Sequence, residues 1–372
     1  MKRLVLLGGG HSHVEVLRRF GAAPLPGTEL VLASPYLESP YSGMLPGWIA
    51  GHYTRDDCHI DLLLLTRYAR CRFVRSACSR IDPNARVVSC ADGTTLPYDV
   101  VSVDTGAASA ARGIPGAAEH ALPVKPVEDF IPRWDVMRER VARGQSPRHI
   151  LMVGGGAAGV EVLLAMQHHL HQVAPASRIE FALAVDTDTI LPGHNRRVRR
   201  IFTRVLEQRG VTLHLGRAVE RVEAGAVLLA GGGRIEADAI VWATGPSAPS
   251  WPKAAGLATD EHGFIRVDGR LQSVSHPQVF ASGDIAGVDG HPRPKSGVYA
   301  VRAGPPLSTN LRRALTGERL VAWNPQKDAL ALISTGDRRA VASRARLALE
   351  GKWVWRWKDW IDRRFVERYR VP

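Results

Sequence analysis

Two short phrases carry most of the chemistry legible in this chain. Gly8-Gly9-Gly10-His11-Ser12-His13 follows an apolar run at residues 4–7, and Gly154-Gly155-Gly156-Ala157-Ala158-Gly159 follows another at 150–153. In a loop of this spacing the first glycine makes the tight turn and the second lets a pyrophosphate approach the backbone. The third lets the following helix pack close to the strand. The free N–H groups and positive dipole end of that helix then face the phosphates. The second phrase has all three, at Gly154, Gly156 and Gly159. The first keeps Gly8 and Gly10 but has His13 in the third place. This change is expected to push the helix slightly away or turn the His13 side chain outward. Two imidazoles, His11 and His13, would then lie near the phosphates.

A ribose-binding acid belongs at the end of the second strand of such a unit. Asp186 stands there in the second unit with no arginine directly after it, which favours NADH over NADPH. In the first unit the place falls at Ala33-Ser34, and Ser34 offers only a hydroxyl.

These residues must be carried by strand–loop–helix–strand units. Residues 1–34 and 148–185 each read as one, with helical spacing over 14–20 and about 157–171. Residues 196–208 read as a further helix closed by Gly210. Segments 211–215, 218–222 and 227–229 look antiparallel. Val101-Ser102-Val103-Asp104-Thr105-Gly106 is answered by Ile240-Val241-Trp242-Ala243-Thr244-Gly245, so the whole unit repeats. Residues 107–147, rich in Ala, Gly and Pro, read as a crossing segment. Val279-Phe280-Ala281-Ser282-Gly283-Asp284 is another buried strand, and a helix starts near Lys295. Pro305-Pro306 should break or kink that helix after about two turns. The expected fold is α/β, with two Rossmann-like dinucleotide-binding domains: a first at 1–115 and 251–318, a second inserted at 116–250, and a C-terminal segment at 319–372.

The bulk composition narrows the function classes. With 372 residues, 45% apolar and 23% charged, the chain is an ordinary globular protein. No apolar run reaches the ~18–20 residues of a membrane span. The short run after Met1-Lys2-Arg3 lacks the length and cleavage site of a signal peptide, so a cytoplasmic location is expected. The net charge is +13, but no zinc finger, RNP aromatic signature or basic zipper accompanies it, and nucleic acid is not expected. Cys58, Cys71, Cys78 and Cys90 form no CxxC pair, so neither a zinc knuckle nor a redox dithiol is signalled. His168, His169 and His171 share a helix without a further ligand in view, and no metal site is expected.

The order GGG loop, Thr-Gly, GGGxxGxE, Ala-Thr-Gly and Ala-x-Gly-Asp resembles the two-dinucleotide-binding-domain flavoproteins of the pyridine nucleotide-disulfide oxidoreductase superfamily, over about residues 1–320. Within it the chain resembles type II NADH dehydrogenases. Nearer still is a subfamily found alone or fused ahead of selenide, water dikinase. The phrases carrying that likeness are Gly8–His13 in full, Pro40-Tyr41-Ser42-Gly43-Met44-Leu45-Pro46-Gly47 and Trp357-Lys358-Asp359-Trp360-Ile361-Asp362-Arg363-Arg364-Phe365. The resemblance implies FAD on the first unit and NAD(P)H on the second. It places Gly8, Gly10 and His11, with His13 and Ser34, on the FAD side, and Asp284 after Gly283 at the ribityl chain. Cys78 would meet the adenine side through its backbone. Thr105-Gly106 and Thr244-Gly245 join the cofactor-binding positions. Gly297 and Val298 open a helix aimed at the flavin, where Lys295 adds positive potential. Glu161, the acid of GGGxxGxE, would sit near the nicotinamide. Hydride transfer from nicotinamide to flavin N5 needs no protein nucleophile. With no cysteine pair beside the flavin, a quinone-type acceptor is expected. Two alternatives remain open: a soluble flavoprotein reductase acting on a selenium or sulfur compound, and an FAD-binding sensor or scaffold with little turnover.

The tail bears on the acceptor. As a helix, Trp353, Trp357, Trp360, Ile361, Phe365 and Tyr369 form one stripe, with Arg356, Asp359, Arg363 and Glu367 on the other side. A Trp-rich basic helix suits a membrane interface, peripheral on the inner face. The same stripe equally suits docking on the chain's own body or a homodimer contact.

Overall fold

The computed structural model describes residues 1–145 and 147–372. Two parallel five-stranded sheets form its frame. The first runs in the order Val279–Ala281, Val100–Val103, Lys2–Leu7, Thr28–Ala33, Arg72–Val74. The second runs Ala121–Pro123, Ala239–Trp242, His149–Val153, Glu180–Ala184, Thr212–His214. Strands covered on both faces need apolar side chains throughout, and Leu4, Val5, Leu6 and Leu7 are all inaccessible to solvent. Each sheet carries a three-stranded antiparallel appendage, Cys78–Asp82 with Val87–Cys90 and Thr95–Pro97, and Val219–Glu223 with Ala226–Leu229 and Arg234–Glu236. The chain's two crossings run side by side, Ala108–Ser109 pairing antiparallel with Pro246–Ser247.

The two units share a set of matching backbone hydrogen bonds. Gly8 N–H donates to the Ala33 carbonyl as Gly154 N–H does to Ala184, and Asp104 N–H donates to Leu7 as Ala243 N–H does to Val153. Asp104 and Ala243 are therefore counterparts. Ser34 N–H donates to Val74 as Val185 N–H does to His214. This register corrects one expectation: the counterpart of Asp186 is Pro35, not Ser34.

Other elements also depart from the sequence reading. The segment read as a crossing holds a strand, Ala121–Pro123, and a helix, Val127–Ala142. That helix buries Val127, Phe130, Ile131, Trp134 and Val141, an i, i+3, i+4, i+7 face hidden among small flanking residues. Thr212–His214 is a parallel edge strand of the second sheet, not part of an antiparallel set. The Gly297–Thr316 helix runs unbroken through Pro305 and Pro306. It packs on the His11–Ala22 helix at Gly304, where a Cβ would lie 2.7 Å from that of Glu15, and Ser12 Oγ donates to the Ala300 carbonyl at 2.7 Å. Tertiary packing along this seam outweighs the missing proline N–H groups.

His13 shows how the first helix stays close without its glycine. Its side chain turns inward, contrary to expectation, and is inaccessible to solvent. Nδ1 lies 2.7 Å from the Gly8 carbonyl and Nε2 lies 2.8 Å from Ser102 Oγ. The ring fills the space a glycine would leave and ties the loop to the neighbouring strand. Burial pulls its pKa from 6.5 to about 4, against the Gly8 bond. The unfolded imidazole therefore takes a proton that the folded one refuses between those values. Stability is full above pH 6.5 and falls as the pH drops toward 4. His13→Ala should cost about 2–3 kcal/mol at pH 7.5 by orphaning two buried polar atoms. Urea unfolding at pH 7.5 and 4.5 should show a smaller acid loss in this variant than in the parent. Equal acid losses would refute the assignment.

Candidate functional site

The second glycine loop is shaped for an anion. Gly154 sits at φ +120, and a Cβ there would lie 2.5 Å from the Ala243 carbonyl oxygen. Gly159 lets the helix close on the loop, since its Cβ would meet the Gly154 oxygen at 2.0 Å. Gly156 faces open space, with nothing within 4 Å of a Cβ. It caps the Ala157–Val173 helix, whose first N–H groups have no acceptor among the described residues and so suit a phosphate. Asp186 is exposed two residues past the Glu180–Ala184 strand. Thr244 Oγ1 accepts from Trp242 Nε1 at 2.7 Å, which fixes the Thr244-Gly245 turn beside the loop.

The first loop has the same frame but a different filling. Gly8 is at φ +87. Gly10 abuts the carboxyl of Asp104, whose Cγ lies 2.4 Å from where a Cβ would be. Asp104 Oδ2 accepts the N–H groups of Ser12 at 2.9 Å and His13 at 3.1 Å. Burial nevertheless pushes its pKa up to about 7, outweighing those N–H groups, and Asp284 adds to the rise. Gly283, at φ +69, leaves room for Asp104 Oδ1. Asp284 Oδ2 accepts from Lys125 Nζ at 2.6 Å. Thr105 and Gly106, the latter at φ +72, turn the chain away just past this carboxyl.

The other candidates on this side divide. His11 Nε2 is buried without a hydrogen-bond partner among the described residues. Its ring lies 5.4 Å from Tyr41 and 6.1 Å from Phe365. Burial, opposed by Asp284 and helped by Lys125, takes its pKa down to about 4. Ser34 is buried and engaged with the Tyr36 backbone, whose N–H donates to its Oγ at 3.2 Å. Cys78 stands opposite Cys90 in the hairpin, and burial raises its thiol to about 12. Lys295 does not present a free ammonium at the helix start. Nζ donates to the Ala286 carbonyl and lies 4.0 Å over the Phe264 ring, and burial lowers its pKa. Gly297 and Val298 open the helix, and a Cβ on Gly297 would lie 2.9 Å from Ser42 Oγ. A cavity of about 840 Å³ lies against this helix start, lined by Asp284, Lys295, Ser296, Tyr299, His262 and Ser247. Its size is that of a small-molecule pocket.

A third group joins the two loops. Glu161 Oε1 accepts the Ser334 N–H at 2.6 Å. Lys358 Nζ donates to Asp362 Oδ2 and to the Gly43 carbonyl, both at 2.6 Å. Tyr41 hydrogen-bonds Asp362 as well, and burial raises its phenol far above the ordinary range. Burial also lifts Glu161 to about 7, opposed by Lys358. The Asp362 and Glu161 charges outweigh the burial of Lys358 and keep its ammonium charged. One cation between two desolvated carboxyls cannot balance both, and burial favours the neutral form of each.

The chain as a whole has known counterparts. The profile of the pyridine nucleotide-disulphide oxidoreductase family matches residues 2–304. The chain belongs to that family. An NADH dehydrogenase-like protein of Mycobacterium tuberculosis is 26% identical over 240 residues, covering 62% of this chain and 58% of that protein. The chain thus matches little more than half of that relative's length. The NADH dehydrogenase-like protein YutJ of Bacillus subtilis is 23% identical over 331 residues, with 88% and 87% covered. Among solved structures, the sulfide:quinone oxidoreductase of Aquifex aeolicus superposes with a TM-score of 0.81 at 17% identity, covering 100% of this chain and 92% of that one. NDH2 of Plasmodium falciparum in complex with NADH gives 0.78 at 14% identity, with 97% of each covered.

Within this family fold, the sequence reading missed Asp104, Lys125, Lys358 and Asp362. Lys358 and Asp362 are spaced i, i+4 inside an aromatic stripe, a signal that one buried ion pair lies on that face. Removing Lys358 leaves two carboxyls buried without a cation. Lys358→Met should lower stability by about 3–5 kcal/mol, and adding Asp362→Asn should recover part of it. Chemical unfolding of both variants checks this; a double variant less stable than the single would refute the shared-cation account.

Proposed function

We propose that this family member is an FAD-dependent NAD(P)H oxidoreductase that accepts hydride from NADH and passes electrons to a quinone-type acceptor. One observation carries the reading: both glycine loops lead to the same buried charge cluster. Glu161 belongs to the helix behind the second loop and sits beside Lys358 and Asp362. Tyr41 bonds Asp362 and lies against His11 of the first loop.

The residues present fit the two cofactors. The open second loop suits the pyrophosphate of a nicotinamide nucleotide, and Asp186 suits its ribose hydroxyls. The orphaned His11 Nε2, the Asp284–Lys125 pair and the cavity at the Gly297–Thr316 helix suit FAD. Bound FAD would supply the step from two-electron hydride acceptance to delivery of electrons to the acceptor. The protein's own part is positioning and proton supply. The start of the Gly297–Thr316 helix lacks a side-chain cap and so presents positive potential to the cavity. Quinone reduction consumes protons, and the buried carboxyls of Glu161 and Asp362, both raised, suit proton supply at the cluster. Burial raises all four thiols, which argues against thiolate chemistry on sulfur substrates. Relatives named as external NAD(P)H-ubiquinone oxidoreductases, such as that of Solanum tuberosum, 25% identical over 331 residues, support the acceptor class.

The C-terminal helix, Lys352–Glu367, supports delivery from a lipid surface. Its expected single stripe is split. Phe365 and Tyr369 dock on the body, together with Val354, Lys358 and Asp362. Trp353, Trp357 and Trp360 face outward, 52%, 37% and 57% exposed. No helix among the described residues is long and apolar enough to cross a membrane, so the contact we propose is interfacial.

Under anaerobic conditions, NADH should bleach the flavin of loaded protein, and a quinone should restore the colour. Gly159→Ala should slow bleaching at least tenfold at low NADH by displacing the loop. A flavin that stays oxidised in excess NADH would sink the oxidoreductase reading. In a second test, Trp353→Ala/Trp357→Ala/Trp360→Ala should no longer float with anionic liposomes while unfolding like the parent. Unchanged flotation would remove these tryptophans from any membrane role.

A further inference from the structure

The two glycine loops share one backbone frame, yet only one is open. In the second, the residue facing the loop is Ala243, and Gly156 looks into empty space. In the first, the counterpart is Asp104, 3% exposed, and its Oδ2 already holds the Ser12 and His13 N–H groups. Those are first-turn donors of the His11–Ala22 helix, the ones a cofactor pyrophosphate uses in this kind of loop. A carboxylate and a pyrophosphate cannot both be charged at one set of donors inside the protein.

We propose that Asp104 makes FAD binding proton-linked: the first loop accepts the pyrophosphate when Asp104 is neutral, and its carboxylate otherwise caps the helix in the cofactor's place. This rests on the flavin reading above. The balance is simple. Asp104 takes one proton from solvent, loses its negative charge, and its O–H can then donate to a phosphate oxygen. No other bond changes.

The surroundings favour the neutral form. Facing Asp104 from the Gly283–Ile285 turn is Asp284, whose negative charge opposes ionisation. The Lys125 cation is engaged with Asp284. From the His11–Ala22 helix come the Ser12 and His13 N–H groups, which favour the charged form. The two imidazoles of that helix contribute no positive charge near neutral pH: His13 points to Ser102, and His11 is held uncharged by burial. From the Gly297–Thr316 helix the Ala300 carbonyl takes the Ser12 hydroxyl proton, and that carbonyl carries no charge. Asp104 itself is raised to about 7 without cofactor, so the switch falls in a physiological range.

The experiment is a titration of apoprotein with FAD, followed by flavin fluorescence between pH 6 and 9, with calorimetry in buffers of different ionisation enthalpy. In the parent, affinity should fall roughly tenfold per pH unit above about 7. Calorimetry should show uptake of close to one proton per FAD at pH 8.5. Asp104→Asn keeps an oxygen for the Ser12 and His13 N–H groups and adds an uncharged donor. It should bind FAD at pH 8.5 at least tenfold tighter than the parent, with a flat pH profile and no proton uptake. A parent profile as flat as the variant's, or an Asn variant that binds more weakly at pH 8.5, overturns the proposal while leaving the flavin reading intact. If neither protein binds FAD at any pH, while far-UV dichroism reports both folded, the flavin reading falls and this inference with it.

Discussion

Backbone N–H groups at the start of a helix have no carbonyl behind them and must find an acceptor. Much of this protein follows from where its two central helices find theirs. The first turn of the Ala157–Val173 helix, behind Gly156, has no such acceptor among the described residues. The His11–Ala22 helix gives two of its donors to Asp104. The same requirement places each helix at the carboxyl edge of a parallel sheet, where the neighbouring strand end supplies the facing residue. One strand ends in Ala243 and the other leads into Asp104, and that single difference separates an open site from a guarded one.

The second constraint is the burial of charge away from the loops. Lys358 is buried because three acceptors surround it: Asp362, the Gly43 carbonyl and, at longer range, Glu161. This explains why the C-terminal helix turns a lysine and an aspartate inward and Trp353, Trp357 and Trp360 outward, against a simple hydrophobic count. The arrangement also binds distant parts of the chain together. Arg363 reaches Asp57, and Tyr369 reaches Glu15, which is itself buried between Arg18 and Arg19.

Much of this frame was legible in the residues. Gly154, Gly156 and Gly159 announce their turn because a Cβ at the first and last would strike backbone. The repeat of strand ends at Thr105-Gly106 and Thr244-Gly245 exposes the duplication, and the helix at Arg196–Gln208 has the bounds its amphipathic spacing gives. What periodicity could not provide was partnership. His13 read as an intruder because the sequence does not say that Ser102 waits behind it. Lys295 read as a flavin-side cation because its Phe264 partner lies on another segment. Asp104 read as a strand terminus because its neighbours, Gly10 and Gly283, are remote in the chain. The Val127–Ala142 helix escaped notice for a different reason: its small and proline-rich flanks mask an ordinary amphipathic face.

The order in which the strands are made has a bearing on how this molecule comes into being. The inserted sheet uses a contiguous stretch, from Ala121–Pro123 to Ala239–Trp242. The first sheet begins earlier but lacks its edge strand, Val279–Ala281, until that insertion is complete. The seam around Glu15 lacks Tyr369 for longer still. On a ribosome the inserted unit can therefore close ahead of the unit that precedes it, while strands made first wait with an unpaired edge. A chain built this way depends on its last helix to finish its first domain. Its vulnerability to misassembly is greatest in the interval before that helix emerges.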